Sequence, residues 1–319
     1  MDLFQKCHDF TDAVALREQG AYPYFIPLDK NEGTEVIYEG RRIIMCGSNN
    51  YLGLTTHPKV RQAAINAIAE YGTSCTGSRF LNGNMTMIED LEKELAAWVG
   101  KEAALVFSTG MQTNLGTISA LVGKDDIIIM DKEDHASIVD GAFLSGGKIE
   151  RFRHNDMDHL ERVLKSLPEE RGKLLVVDGL FSMEGDIAPL PRMVELCAEY
   201  GVRLMVDDAH AFGVLGGGRG TAAHFSLTDK VDLIMSTFSK SMASIGGFIA
   251  GDFAVVDYIK HHARSLIFSA SIPPANTATV LAALQVMKEE PERIERVNQN
   301  GAFMRQGFKK LGFDTGASC

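Results

Sequence analysis

Residues 231–252 read VDLIMSTFSKSMASIGGFIAGD, and the parsing of this stretch decides the fold of the chain. The apolar run 231–235 has the composition of a buried strand. It breaks into Ser236, Thr237, Phe238 and Ser239 and delivers Lys240 into a run of small residues that closes at Gly246 and Gly247. Burying an ammonium is costly and desolvation lowers a lysine pKa, so a lysine set in such a place is a candidate Schiff-base amine. The hydroxyls of Thr237 and Ser239 beside it suit an anion such as a phosphate. Spacing alone is equally compatible with a surface lysine in a loop after a strand.

Outward from that stretch, residues 103–251 alternate short β-rich runs with segments mostly of helix length. The runs are AALVF (103–107), DIIIM (126–130), IERF (149–152), KLLVVD (173–178), RLMVD (203–207), LIM (233–235) and GFIAG (247–251). Such runs suit strands covered on both faces, hence an α/β fold with a mostly parallel seven-stranded sheet between helix layers. Ligands of these sheets sit outside the carboxyl ends of the strands. The polar clusters described below fall just after these runs.

The flanks read differently. Residues 1–45 form an N-terminal arm, with a helical pattern to Glu18, an extended path imposed by Pro23 and Pro27, and a hairpin over 33–47 turning near Glu39 and Gly40. Helical periodicity covers 58–71 and 86–98, the second with Ile88, Leu91, Leu95 and Trp98 on one face. Between them the glycine-rich segment 72–84 holds Arg79, expected at an interface or near an anion. After Pro273 and Pro274 the pattern is helical over 275–288 and 291–311. The chain thus divides into the arm, a large domain over 46–275, and residues 276–319 as the start of a smaller C-terminal domain.

The 319 residues carry a formal net charge of −10. That balance argues against nucleic acid as the main partner, because a phosphate backbone rewards a basic face. Cys7, Cys46, Cys75, Cys197 and Cys319 lack any metal-ligand spacing, and a dispersed, odd set suits a reducing cytoplasm. No segment has the roughly 18 consecutive apolar residues of a membrane span, and the N-terminus lacks a signal-peptide pattern.

Several polar clusters could carry chemistry. MVDDAHAFGVLG (205–216) places Asp207, Asp208 and His210 at a strand end. Two carboxylates and an imidazole invite a metal reading, but no further ligand cluster completes such a site. Facing a pyridine nitrogen, a buried Asp207 would keep that nitrogen protonated and turn the ring into an electron sink. KEDHAS (132–137) holds His135, which taken alone is also compatible with an ordinary loop histidine, and GLFSMEGD (179–186) ends another strand. STGMQTN (108–114) reads as a turn into a helix starting near Met111, offering free backbone N–H groups to an anion. LGGGRG (215–220) fails the dinucleotide pattern and reads as a flexible flap.

Taken in order, SNNYLGL, TGSRFLNG, FSTGMQTN, DHASIVDG, DGLFSMEGDIAPL, VDDAHAFGVLG and STFSKSMASIGGFIAG resemble the α-oxoamine synthase family of pyridoxal-phosphate enzymes, on the type I aminotransferase fold. The resemblance runs from about Tyr22 to Gly316, and its wording is closest to serine palmitoyltransferase-like members. It implies that Lys240 forms the Schiff base with pyridoxal phosphate and moves the substrate's α-proton. It implies further that Asp207 pairs with the pyridine nitrogen, that His210 and Ser182 approach the phenolic oxygen, and that His135 stacks on the ring. Gly110, Met111, Thr237 and Ser239 would bind the phosphate, with Ser269 and Ala270 approaching from the second subunit of a homodimer, and Asn50 would face the substrate.

The reaction implied is a decarboxylative condensation of a small amino acid, L-serine first, with an acyl-CoA or acyl-carrier-protein thioester to give an α-amino ketone. The alternatives are 8-amino-7-oxononanoate synthesis from alanine and a pimeloyl thioester, and a catalytically inactive regulatory subunit. Retention of Lys240, Asp207, His210 and His135 together speaks against the last. Three departures from the family pattern stand out: Ile88 where a histidine is usual, Met111 where an aromatic is commoner, and an end at Cys319 where family members continue through a C-terminal domain with a carboxylate-binding arginine.

Overall fold

The computed structural model describes residues 1–31 and 33–319 and resolves two units, Met1–Gly47 and Ser48–Cys319. The first holds helices α1 (Gln5–His8) and α2 (Asp12–Glu18) and an antiparallel sheet of β1 (Lys30–Asn31), β2 (Glu35–Tyr38) and β3 (Arg41–Ile44). Tyr38 pairs with Arg41, which leaves Glu39 and Gly40 as a two-residue loop with φ of 49° and 72°. Positive φ at both central residues matches the twist of the flanking strands, and the turn lies where the sequence places it.

The second unit runs α3 (Pro58–Tyr71), α4 (Thr86–Val99), β4 (Ala103–Phe107), α5 (Gly110–Leu121), β5 (Ile127–Asp131), α6 (Ala136–Ser145), β6 (Lys148–Phe152), α7 (Met157–Lys165), β7 (Lys173–Asp178), α8 (Leu190–Tyr200) and β8 (Arg203–Asp207). It continues with α9 (Thr221–His224), β9 (Leu233–Thr237), β10 (Gly247–Gly251), α10 (Phe253–His262), α11 (Arg264–Ile267), α12 (Pro274–Glu289) and α13 (Glu292–Lys310). The seven expected strands form one sheet in the order β4-β10-β9-β8-β7-β5-β6. Strands β6, β5, β7, β8 and β9 are mutually parallel, whereas β10 is antiparallel to both β9 and β4. The β9–β10 connection, 238–246, is too short for a parallel crossover, which needs a dozen or more residues. The Lys240 stretch therefore sets the one reversed strand of the sheet.

Alternation along the strands fills two apolar layers. On β4, Ala104 and Val106 face one layer with Ile88, Leu91 and Leu95 of α4 and Val280, Ala283 and Leu284 of α12. Leu105 and Phe107 face the other, with Ile118 of α5, Ile138 of α6 and Ile259 of α10. Ile88 is fully buried in the first layer, a core side chain on the apolar face of α4.

Packing corrects one expectation and gives another its partner. The glycine run 215–220 is a tightly packed turn and not a flap. Gly218 is buried, and a Cβ there would lie 2.7 Å from Ile294 Cδ1, while one on Gly220 would lie 2.0 Å from Asp208 Oδ2. Both positions also have positive φ, 87° and 104°, so glycine is required twice over. Arg79 is buried, and the anion beside it is Glu92 of α4.

That buried pair closes an open edge. β4 lies at the end of the sheet, and the Val106 groups on its free side are taken by side chains. The Val106 N–H donates to Glu92 Oε1 at 2.7 Å, and Arg79 Nη1 donates to the Val106 carbonyl at 3.0 Å. Arg79 also donates to Asn84 Oδ1 through Nε and Nη2, at 2.9 and 2.7 Å. Side chains thus do on this edge what a further strand would do. Breaking one partner of a buried ion pair leaves the other uncompensated, so Arg79→Met is expected to cost about 3–5 kcal/mol in urea denaturation. A loss below about 1 kcal/mol, the range of exposed pairs, would contradict this account.

Candidate active site

The carboxyl ends of the parallel strands converge on a cleft of about 280 Å³. Asp178, Asp207 and Met235 lie in register across β7, β8 and β9, and all three line it. The same cleft takes in Gly110, Met111, His135, Ser182, His210, Thr237, Ser239 and Lys240. Residues drawn from loops more than a hundred positions apart in sequence are brought together.

Lys240 arrives on the β9–β10 loop, which is held by its own backbone. Phe238 N–H donates to the Gly246 carbonyl at 2.9 Å, Ser244 N–H to Phe238 at 3.0 Å, and Ala243 N–H to Lys240 at 3.1 Å. Phe238 and Met242 are buried beneath it, with the Phe238 ring stacked on Phe248 at 5.9 Å. The lysine side chain forms no ion pair within 4 Å with any described residue. Burial lowers its pKa from the usual 10.5, against the opposing charges of Asp207 and Asp178.

Asp207 ends β8 with 3 % of its surface exposed. Its Oδ2 accepts from Asn114 Nδ2 at 2.7 Å and its Oδ1 from the Ala209 N–H at 2.9 Å. These bonds fix the carboxylate without supplying a counter-charge. Asp208 belongs to a different environment. It is fully buried, accepts from the Thr221 N–H at 2.9 Å, and burial pushes its carboxyl up to about 7. The two adjacent carboxylates therefore do not converge, and among the described residues no cluster of His, Cys, Asp or Glu is placed to hold a metal ion.

Two helix starts face the cleft. Thr109 caps α5, its hydroxyl accepting from Gln112 N–H at 3.0 Å, and the N–H groups of Gly110 and Met111 have no acceptor within the helix. A Cβ on Gly110 would meet Thr237 Oγ1 at 2.8 Å, so only glycine lets this helix start approach the β9 hydroxyl. Thr237 Oγ1 and Ser239 Oγ lie 2.9 Å apart. Hydroxyls and free helix-start N–H groups are thus gathered on one side of the cleft. His135 caps α6, its Nδ1 lying 2.7 Å from Ser137 Oγ, and its backbone N–H donates to Asp178 Oδ2 at 2.8 Å. Burial and then the neighbouring Asp207 raise the Asp178 pKa well above the usual carboxylate value.

Comparison with known proteins follows this geometry. Residues 41–319 match the family Aminotransferase class I and II. The chain belongs to that family. It is 52% identical over 317 residues to a serine palmitoyltransferase of Sphingobacterium spiritivorum, covering 99% of this chain and 79% of the relative. It is 44% identical over 300 residues to an 8-amino-7-oxononanoate synthase of Bacillus pumilus, covering 94% of this chain and 76% of the relative. A solved serine palmitoyltransferase from S. paucimobilis, with a bound PLP-myriocin aldimine, superposes with a TM-score of 0.95 at 36% identity, covering 98% of this chain and 80% of that one. The type I aminotransferase fold is thereby confirmed.

Within this aminotransferase-family cleft, three expected residues lie off the lining. Asn50 Nδ2 donates to Thr55 Oγ1 at 2.8 Å. Ser269 Oγ accepts from Gln112 Nε2 at 2.9 Å, and the Ala270 carbonyl accepts from Ser108 Oγ at 2.5 Å. Within this one chain they support the start of α5. Other residues were invisible to pattern reading. Asn114, Ser137 and Asp178 act through hydrogen bonds to Asp207 and His135; Asp178 ends β7, whereas Asn114 and Ser137 lie inside α5 and α6. Tyr51, the single aromatic of its loop, is bonded through Oη to His210 Nδ1 at 2.7 Å.

His210 is pushed down from 6.5 to about 4, first by burial and then by the charges of Lys240 and His135. Its neutral form is thus built into the folded state. A depressed histidine contributes stability that is present above pH 6.5 and lost as pH falls towards 4. The His210 ring signals in an NMR titration are expected to move with a midpoint near 4. A midpoint at or above 6.5 would show that burial does not govern this imidazole.

Proposed function

We propose that this chain is a pyridoxal-phosphate-dependent acyltransferase of the oxoamine-synthase type that condenses L-serine with a long-chain acyl-CoA. A carbon–carbon bond forms between the α-carbon and the acyl carbonyl, the thioester C–S bond breaks, and carbon dioxide leaves, giving an α-amino ketone and a free thiol. The observation that carries this reading is the pairing, in one small cleft, of an amine without an ion-pair partner and a buried carboxylate held by neutral donors.

The residues fit pyridoxal phosphate at each end. The N–H groups of Gly110 and Met111 with the hydroxyls of Thr237 and Ser239 suit its phosphate, and the Gly110–Thr237 approach leaves no room for a side chain between them. Asp207 suits a protonated pyridine nitrogen, which would supply the counter-charge its hydrogen-bonding partners lack. His210 and Ser182 suit the phenolic oxygen, and His135 the ring face. When bound, the cofactor supplies an electron sink for the carbanion formed at the amino acid's α-carbon.

The chain's own groups do the remainder. The lowered pKa of Lys240 favours the neutral amine, which can take up the α-proton at Nζ. Tyr51 Oη pairs with His210 Nδ1 at 2.7 Å and so orients the ring, and in the tautomer protonated at Nε2 that nitrogen is free to donate into the cleft. Asn114 holds Asp207 in place. A homodimer, in which Ser269 and Ala270 serve the partner's cleft, belongs to the same reading.

The purified protein is expected to show a visible absorbance band from bound cofactor that Lys240→Ala abolishes; a colourless wild type that never takes up the cofactor would favour a regulatory subunit. Asp207→Asn should slow turnover by at least about a hundredfold with the cofactor still bound. Serine with palmitoyl-CoA is expected to outpace alanine with pimeloyl-CoA. The reverse order would shift the reading to 8-amino-7-oxononanoate synthesis, which the 44%-identical relative represents.

A further inference from the structure

Behind the cleft lies an imidazole that the proposed reaction does not use. His154 follows β6 and does not line the cleft. Its Nδ1 lies 3.0 Å from Asp131 Oδ1 and its Nε2 lies 3.1 Å from Asp186 Oδ2. Asn155 repeats the same bridge: its backbone N–H donates to Asp131 Oδ2 at 2.9 Å, and its Nδ2 to Asp186 Oδ2 at 2.9 Å. Asn155 has φ of 51°, a left-handed conformation that asparagine tolerates. Both residues can therefore span both carboxylates.

The two carboxylates belong to different parts of the site. Asp131 ends β5 and is fully buried on its side chain. Its backbone N–H donates to Asp134 Oδ2, Asp134 Oδ1 accepts from the Asp178 N–H, and Asp178 accepts from the His135 N–H, at 2.7, 2.9 and 2.8 Å. Asp131 is thus tied to the floor of the cleft. Asp186 belongs to the small hairpin after β7, closed by the Leu180–Ile187 bridge and by Phe181 N–H donating to the Asp186 carbonyl at 3.0 Å. The tip of that hairpin carries Ser182, which lines the cleft, and Met183, which is 89% exposed.

Only one edge of the hairpin is held by the sheet, through Gly179 N–H to the Asp207 carbonyl at 2.8 Å. The other edge is held by the His154–Asn155 pair and by the Phe181 ring, which meets His154 edge-on at 4.5 Å, while Cys319 N–H donates to the Gly185 carbonyl near the tip at 3.0 Å. Asp186 Oδ1 is buried and accepts from no described residue. A carboxylate left in that state needs a cation close by, and His154 stands in that place. Burial pulls its pKa down, but hydrogen bonds and charge from Asp131 and Asp186 outweigh this and the net shift is upward. Each ring nitrogen faces a carboxylate oxygen, which can only accept, so a donor at either position serves the bridge.

We infer that His154 is a positioning residue: bridging Asp131 and Asp186, it fixes the hairpin that presents Ser182 to the cleft. Its effect on the cofactor rests on the pyridoxal-phosphate reading; its effect on the hairpin does not. The two are tested separately. Amide hydrogen exchange on the whole chain should show Phe181 and Gly185 exchanging about tenfold faster in His154→Ala, with amides of α4 unchanged. His154→Gln, which keeps one donor, should recover part of the protection.

Cofactor affinity supplies the second readout. His154→Ala should weaken pyridoxal phosphate several-fold, and the same change placed in a Ser182→Ala background should add nothing. Unchanged exchange in the hairpin, or an equal loss of protection throughout the sheet, would overturn the assignment. So would a His154→Ala effect that persists in full without the Ser182 hydroxyl. If the wild type binds no pyridoxal phosphate, the cofactor reading fails while the exchange experiment still judges the clamp.

Discussion

Desolvation of Lys240 is the constraint on which the site depends. An ammonium is stable in water, and this one is drawn into a cleft whose carboxylates are mostly occupied by neutral donors. Asp207 is taken by Asn114 and a backbone N–H, and Asp178 by the N–H of His135. Neither is within ion-pair distance of the amine, so each lends charge from further off and burial prevails. The aromatic packing under the loop keeps the lysine there: Phe238 stacks on Phe248, which Phe212 meets edge-on. A looser floor would let the amine reach water and return its pKa towards the usual 10.5.

The fold around that constraint was largely legible because its strands are buried on both faces. Fully apolar runs of this kind stand out against amphipathic helices, and all seven were found within a residue or two of their ends. Strand direction was less visible. Only the short link between Thr237 and Gly247 reveals that β10 runs backwards, and the sequence pattern of GFIAG is the same either way. The glycine run at 215–220 misled for a related reason. Glycine density looks alike whether it serves mobility or close contact, and only the neighbours, here Ile294 and Asp208, tell which.

In the site, polar residues that end strands were readable, Asp178 excepted, and residues that support them were not. Lys240, Asp207, His135 and His210 occupy strand ends and loop tips where polar groups are conspicuous. Asn114 lies one turn inside a helix and His154 follows an edge strand, positions where a polar residue has many ordinary explanations. Their purpose comes from partners 93 and 32 positions away, a separation that no local pattern encodes. Arg79 shows the same limit: its sequence suggests an interface or a nearby anion, and only the fold shows that the anion is Glu92 and that the two close the free side of β4.

The reversed strand also governs the order in which the chain can assemble. β4 is made early, yet its sole neighbour in the sheet is β10, with Val106 facing Phe248. During synthesis β4 emerges long before β10 exists, and a closure across so many residues is slow. Through that interval the partners within reach of β4 are the preceding helix and loop, and the Arg79–Glu92 pair binds one side of Val106 from just those segments. The ion pair therefore caps from the outset the side of β4 that never gains a strand, so that a nascent β4 offers other chains one open edge rather than two until β10 is delivered.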